Sequence, residues 1–141
     1  MQVTTKNRLR WAELPHDVRS AVEEILGDRV VEAVSQSGGY SPGTADRIRT
    51  ASGRRAFVKA VSPAQNPDTP TMHRAEARIT AALPGYAPTP RLLGCHDDGH
   101  WVALVLTDVD GRHPVTPWRV HELEAVLAAL ERMSATHTPA R

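Results

Sequence analysis

At 141 residues the chain has room for one compact domain and is too short for two of ordinary size, and its 40% hydrophobic content can supply a core. A formal net charge of +1 leaves no electrostatic case for nucleic acid or an anionic membrane as main partner. The single cysteine, Cys95, excludes an internal disulfide and suits a reducing interior.

The N-terminal MQVTTKNRLRW has basic residues with no apolar stretch behind them, so it does not read as a secretory signal. No run approaches the roughly 20 apolar residues of a membrane span, and the expected location is cytoplasmic. Pro15 opens a predicted helix with Val18, Val22, Ile25 and Leu26 on one face, and Gly27 stops it. Arg29 to Ser35 is rich in β-branched residues and reads as a strand. The segment SQSGGYSPG, 35 to 43, is a tight turn region. Asp46 to Thr50 is polar with one isoleucine and reads as an exposed second strand. Ser52-Gly53 turns the chain into a third, Arg55 to Val61. These three strands predict an antiparallel meander.

A second helix begins with Thr69 as cap and Pro70 at the first helical position, and it stops at Pro84-Gly85. Strands at Arg91 to Cys95 and His100 to Leu106 are joined by the Asp97-Asp98-Gly99 turn. TDVDGRHPVTP reads as a linker. Thr116-Pro117 repeats the cap-plus-proline pattern before a last helix with Val120, Leu123, Leu127 and Leu130 on one face, which needs a cover.

The third strand contains a contradiction. In AFVKAV, alternation points Phe57, Lys59 and Val61 the same way, so an ammonium sits between apolar neighbours. On the second helix Met72, Ile79 and Leu83 share a stripe, and spacing places Glu76 on it. Each charge is costly to bury alone, and breaking a buried pair costs about 3–5 kcal/mol. The economical arrangement brings Lys59 and Glu76 together. A glycine-rich hairpin, a third-strand lysine and a glutamate on the following helix make up the phosphate-gripping half of a kinase site. The backbone at Gly38, Gly39 and Gly43 can approach phosphate oxygens and donate N–H groups.

Four segments carry a resemblance: SGGYSPGTADRI (37 to 48), AFVKAV (56 to 61), HRAEARIT (73 to 80) and VALVLTDVDG (102 to 111). In their order the chain resembles the N-terminal lobe of the aminoglycoside phosphotransferase family, kinase-like enzymes that phosphorylate small molecules. The resemblance implies that Gly38, Gly39 and Ser41 contact ATP phosphates, Lys59 binds the α- and β-phosphates and Glu76 orients it. It also implies that Thr107, Asp108 and Val109 form a hinge whose main chain holds adenine. The family often has glutamate where Thr107 stands. Asp108-Val109-Asp110-Gly111 could be mistaken for a magnesium motif. Its place ahead of the linker argues for the hinge.

The transfer machinery is not found in the sequence. A kinase catalytic loop has an aspartate five residues before an asparagine, and here Gln2 precedes Asn7 and Val61 precedes Asn66. The expectation is an ATP-binding half-site that is inactive alone. Magnesium and the small hydroxyl-bearing substrate would be held by a C-terminal lobe, and the chain would be a truncation product, one piece of a split protein or an excised lobe. The alternative is a non-catalytic module binding a nucleotide or a protein, with a second chain or its own copy on the last helix.

Blander readings stand beside these. Lys59–Glu76 can be a structural ion pair, and the glycines a plain hairpin turn. Tyr40 at the loop tip either covers phosphates or lies exposed. Cys95, His96, Asp97 and His100 suggest zinc, but alternation throws Cys95 and His96 to opposite faces, which also defeats a Cys–His nucleophile. The expected fold is α+β: a kinase-like lobe over 1–110, with a five-stranded antiparallel sheet, a packed helix and an N-terminal helix. A linker and helix follow over 111–141.

Overall fold

A computed structural model describes residues 8–39 and 41–137. Its element order is α1 (His16–Leu26), β1 (Val30–Ser35), β2 (Asp46–Thr50), β3 (Arg55–Val61), α2 (Thr69–Ala82), β4 (Leu92–Asp97), β5 (Val102–Thr107) and α3 (Val120–His137), with a single 3₁₀ turn at Trp11–Glu13 ahead of them. The fold is α+β, with one five-stranded sheet in the order β1-β2-β3-β5-β4. Every neighbouring pair is antiparallel. β1 to β3 form the expected meander, and β5 inserts beside β3.

The chain divides into two compact units. The first comprises Met1–Leu83 and Pro90–Asp108 and holds the whole sheet with α1 and α2; the second comprises Pro84–Thr89 and Val109–Arg141 and holds α3.

α1 follows Pro15, and Gly27 ends it in the left-handed conformation at φ 69°, where a side chain would be strained. Its buried stripe, Val18, Val22 and Leu26, lies with Leu14 on Ile48, Ala56, Val58, Ala60, Ala103 and Val105. Fully burying a valine or leucine contributes about 1.5–3 kcal/mol, so this face holds most of the apolar stabilisation. The helix comes close to β4 where the strand has no side chain. A Cβ on Gly94 would stand 2.6 Å from Ile25 Cγ2.

The opposite face of the sheet carries a smaller cluster of Ala77, Val102 and Leu104, with Leu92 against it. β2 departs from the exposed strand expected of it: Asp46, Ile48 and Thr50 are buried. The polar members are accommodated by bonding. Asp46 accepts from Ser35 Oγ at 2.7 Å and from the Trp11 N–H at 2.6 Å, and Thr50 Oγ1 accepts from the Arg54 N–H at 3.1 Å.

α2 also begins differently from its sequence pattern. Thr69 and Pro70 both lie inside the helix, and Asn66 Oδ1 accepts the N–H groups of Asp68 and Thr69 at 2.9 and 3.1 Å. The capping oxygen therefore comes from upstream of the threonine. In the second unit α3 starts at Val120, so Thr116-Pro117, a cis peptide, lies ahead of the helix and does not cap it. Glu122 in the first turn of α3 accepts from Arg112 Nη2 at 2.5 Å and the Val115 N–H at 2.8 Å. The Arg112 bond is the main reason its carboxyl is held below the ordinary glutamate value. No helix among the described residues is long and apolar enough to cross a membrane.

Candidate functional site

The register of β3 places the candidate residues. Lys59 lies opposite Leu104, and Phe57 opposite Leu106 on one side and Arg47 on the other. Alternation then puts Arg55, Phe57 and Lys59 on one face, while Ala56, Val58 and Ala60 enter the α1 core on the other. α2 packs on the Lys59 face, where its Ala77 meets Val102 and Leu104.

Across this gap Lys59 Nζ donates to both oxygens of Glu76, at 2.9 and 2.8 Å. The pair is open to solvent, with side-chain exposures of 25% for Lys59 and 36% for Glu76. The cost of 3–5 kcal/mol anticipated for a buried pair therefore does not apply. A solvated pair of this kind contributes about 0–1 kcal/mol. What the geometry does achieve is aim. A bidentate carboxylate fixes the ammonium while leaving part of it accessible.

The α2 stripe expected to carry Glu76 is corrected by the structure. Met72 and Ile79 are 63% and 62% exposed, and Leu83 also faces solvent. The buried residues are Thr69, Pro70, His73 and Ala77, and Glu76 stands at the border of that stripe. An apolar stripe here would have sealed Lys59 away from water. Small and polar residues let the helix sit down with its charge at the edge. His73, one turn before Glu76, is the residue that sequence reasoning missed. It is buried, and its pKa is lowered by desolvation and then by the Lys59 charge, with Glu76 opposing. Its spacing of three from Glu76 was the available signal.

The glycine segment divides into two parts. Gly43 has φ 98°, and a Cβ there would lie 2.3 Å from the Ala60 carbonyl oxygen. The next residue, Thr44, donates its N–H to that carbonyl at 2.8 Å and accepts the Ala60 N–H on Oγ1 at 2.9 Å. Close packing on β3 thus accounts for Gly43. Gly38, Gly39 and Ser41 have a partner the sequence did not suggest. The Arg8 guanidinium donates to the carbonyls of Gln36 (3.0 Å), Gly38 (2.7 Å), Gly39 (3.0 Å) and Ser41 (3.4 Å). Gly39 takes φ 85°, open to glycine at no steric cost. Tyr40, Asn7 and Gln2 lie outside the described residues. A cavity of about 280 Å³ beside the loop is lined by Arg8, Leu9, Glu13, Ser41, Pro42, Gly43 and Gln65, and Lys59 is not among them.

At the end of β5, Thr107 is committed to the sheet. Its N–H donates to the Arg91 carbonyl at 2.9 Å and its Oγ1 accepts the Arg91 N–H at 2.9 Å. Its donor is therefore not available to an adenine ring. Asp108 closes the first unit with a side chain only 9% exposed, 3.3 Å from Arg47 Nε and 3.9 Å from Arg55 Nε. Val109 belongs to the second unit. Among the described residues no group of three or more His, Cys, Asp or Glu comes together to hold a metal ion.

No family model matches the chain, and neither a curated protein nor a solved structure matches it.

Proposed function

We propose that the chain is the ATP-gripping half of a small-molecule phosphotransferase, with the architecture of a kinase N-terminal lobe similar to that of the aminoglycoside phosphotransferase family. The observation that carries this reading is the bidentate Lys59–Glu76 contact, made from the third strand to the following helix on the face opposite the main core. An ammonium held this way, and still partly exposed, is suited to the α- and β-phosphates of ATP. Gly38, Gly39 and Ser41 lie in the connection between β1 and β2, and Asp46 at the start of β2 is opposite Val58, next to Lys59. Phe57, half-buried on the Lys59 face and paired across the sheet with the buried Leu106, offers an apolar surface for the base. With the Thr107 donor occupied, a hinge contact falls to the main chain of Asp108.

Magnesium is assigned chiefly to ligands of a C-terminal lobe, and no step is routed through it on this chain. The acceptor, a hydroxyl of a small molecule, and the residues that position it are assigned to a C-terminal lobe. Titration of Mg-ATP into the wild-type chain and Lys59→Ala tests the reading. Binding by wild type with a loss of about tenfold or more in the variant supports it. Equal binding by both, or binding by neither, would falsify it.

The exposed Val120, Leu123, Leu127 and Leu130 of α3 favour a second reading, a non-catalytic module that engages a second chain. Self-association of the intact chain, abolished by Leu127→Glu while Mg-ATP fails to bind, is the result that selects it.

A further inference from the structure

We infer that Arg8 is a positioning residue that presets the glycine loop for an anionic ligand, a conclusion that rests on the ATP-binding reading above. One guanidinium gathers four carbonyls from the six-residue span between Gln36 and Ser41. In a planar trans peptide the N–H points opposite to the preceding C=O. Carbonyls of Gln36 and Gly38 turned toward Arg8 therefore turn the N–H groups of Ser37 and Gly39 away from it.

The direction of approach decides which side those amides face. Leu9 and Trp11, just after Arg8, pack on the α1 core. The Trp11 N–H is bound to Asp46, whose register opposite Val58 places it on the α1 face of the sheet. Arg8 thus grips the loop from the α1 side, and the Ser37 and Gly39 amides are presented toward the side that carries Lys59. Backbone N–H groups turned to one side form an anion-receiving edge, and here the ligand chemistry is a polyphosphate. Without the guanidinium a loop rich in glycine samples many peptide orientations, and ordering it would subtract from affinity. A lysine cannot replace the fork, because one ammonium point charge does not span four carbonyls.

The test uses the full chain as wild type, Arg8→Lys, Arg8→Ala and Lys59→Ala, with Mg-ATP, inorganic tripolyphosphate and adenosine as probes. Arg8→Lys keeps the charge and is expected to weaken Mg-ATP and tripolyphosphate about tenfold while leaving adenosine binding unchanged. Amide hydrogen exchange at Ser37 and Gly39 should accelerate in the same variant. If Arg8→Lys binds Mg-ATP like wild type while Lys59→Ala loses it, the positioning role is overturned and the ATP reading stands. A parallel loss of adenosine binding also overturns it, by showing general damage. Should wild type and Lys59→Ala bind alike, the ATP reading falls and takes this inference with it. If Arg8→Ala fails to fold, Arg8→Lys and its exchange rates decide the question.

Discussion

The two faces of the central sheet are made by the same strands and meet their helices in opposite ways. Under α1, Val18, Val22 and Leu26 share one large buried apolar cluster with Ala56, Val58 and Ala60. Under α2 the apolar contact shrinks to Ala77 with Val102 and Leu104, and the remaining surface goes to Lys59, Glu76 and a buried His73. The first face can therefore carry the stability while the second stays wet enough to hold an accessible charge.

The contrast can be broken most directly from the dry side. Leu26→Ala removes a fully buried side chain and is expected to cost about 2–5 kcal/mol, read as a fall in the urea midpoint. A loss no larger than that of a surface substitution would show that the α1 face is not the main core. Gly43→Ala should come next, at about 1–3 kcal/mol, since it forces a left-handed backbone on alanine and drives a Cβ into the Ala60 carbonyl. Unchanged stability there would return Gly43 to the role of a ligand-facing glycine.

On the wet side, Glu76→Gln keeps the shape and removes the charge. Its expected stability cost is under about 1 kcal/mol, because the ion pair is solvated. If the site reading holds, Mg-ATP affinity falls in the same protein by a larger factor. A stability loss of the buried-pair size would erase the distinction between the two faces.

The smallest effect is a pH dependence. His73 has a folded-state pKa below its ordinary value of 6.5, with burial the first cause and Lys59 the second. The unfolded chain therefore binds the proton more tightly. The stability contributed by neutral His73 is complete above about pH 6.5 and is lost as pH falls from there through the folded-state value. Unfolding free energies of wild type and His73→Gln between about pH 7.5 and 5.5 should converge toward the acid end. Parallel curves would mean that His73 is not titrating in a buried setting.

Much of this was legible from residues with a local cause. The limits of β3 follow from AFVKAV flanked by Ser52-Gly53 and Pro63, and Gly27 ends α1 where a left-handed residue is required. The Lys59–Glu76 contact was legible because alternation isolates Lys59 on its strand and one glutamate follows on the next helix, although the stripe assigned to Glu76 lies outward. The α2 stripe was misread, since Met72, Ile79 and Leu83 are the most apolar residues of the segment yet lie outward. Periodicity reports which residues share a face, not which face the sheet covers. β2 looked exposed because Asp46 and Thr50 are polar, and only the bonds from Ser35, Trp11 and Arg54 make their burial tolerable. Arg8 gave no sequence signal, because its partners are backbone carbonyls, which every residue possesses.

By itself the sequence determined the α+β class, the alternation that isolates Lys59 and the turns that join the strands. These depend on φ preferences and on periods of two and 3.6, which act within a few residues. Tertiary structure alone decided that β5 lies beside β3, that α2 buries His73 rather than Met72, and that Arg8 gathers the glycine loop. Each of those joins residues far apart along the chain, where the outcome depends on which surfaces are left once the larger core under α1 has formed.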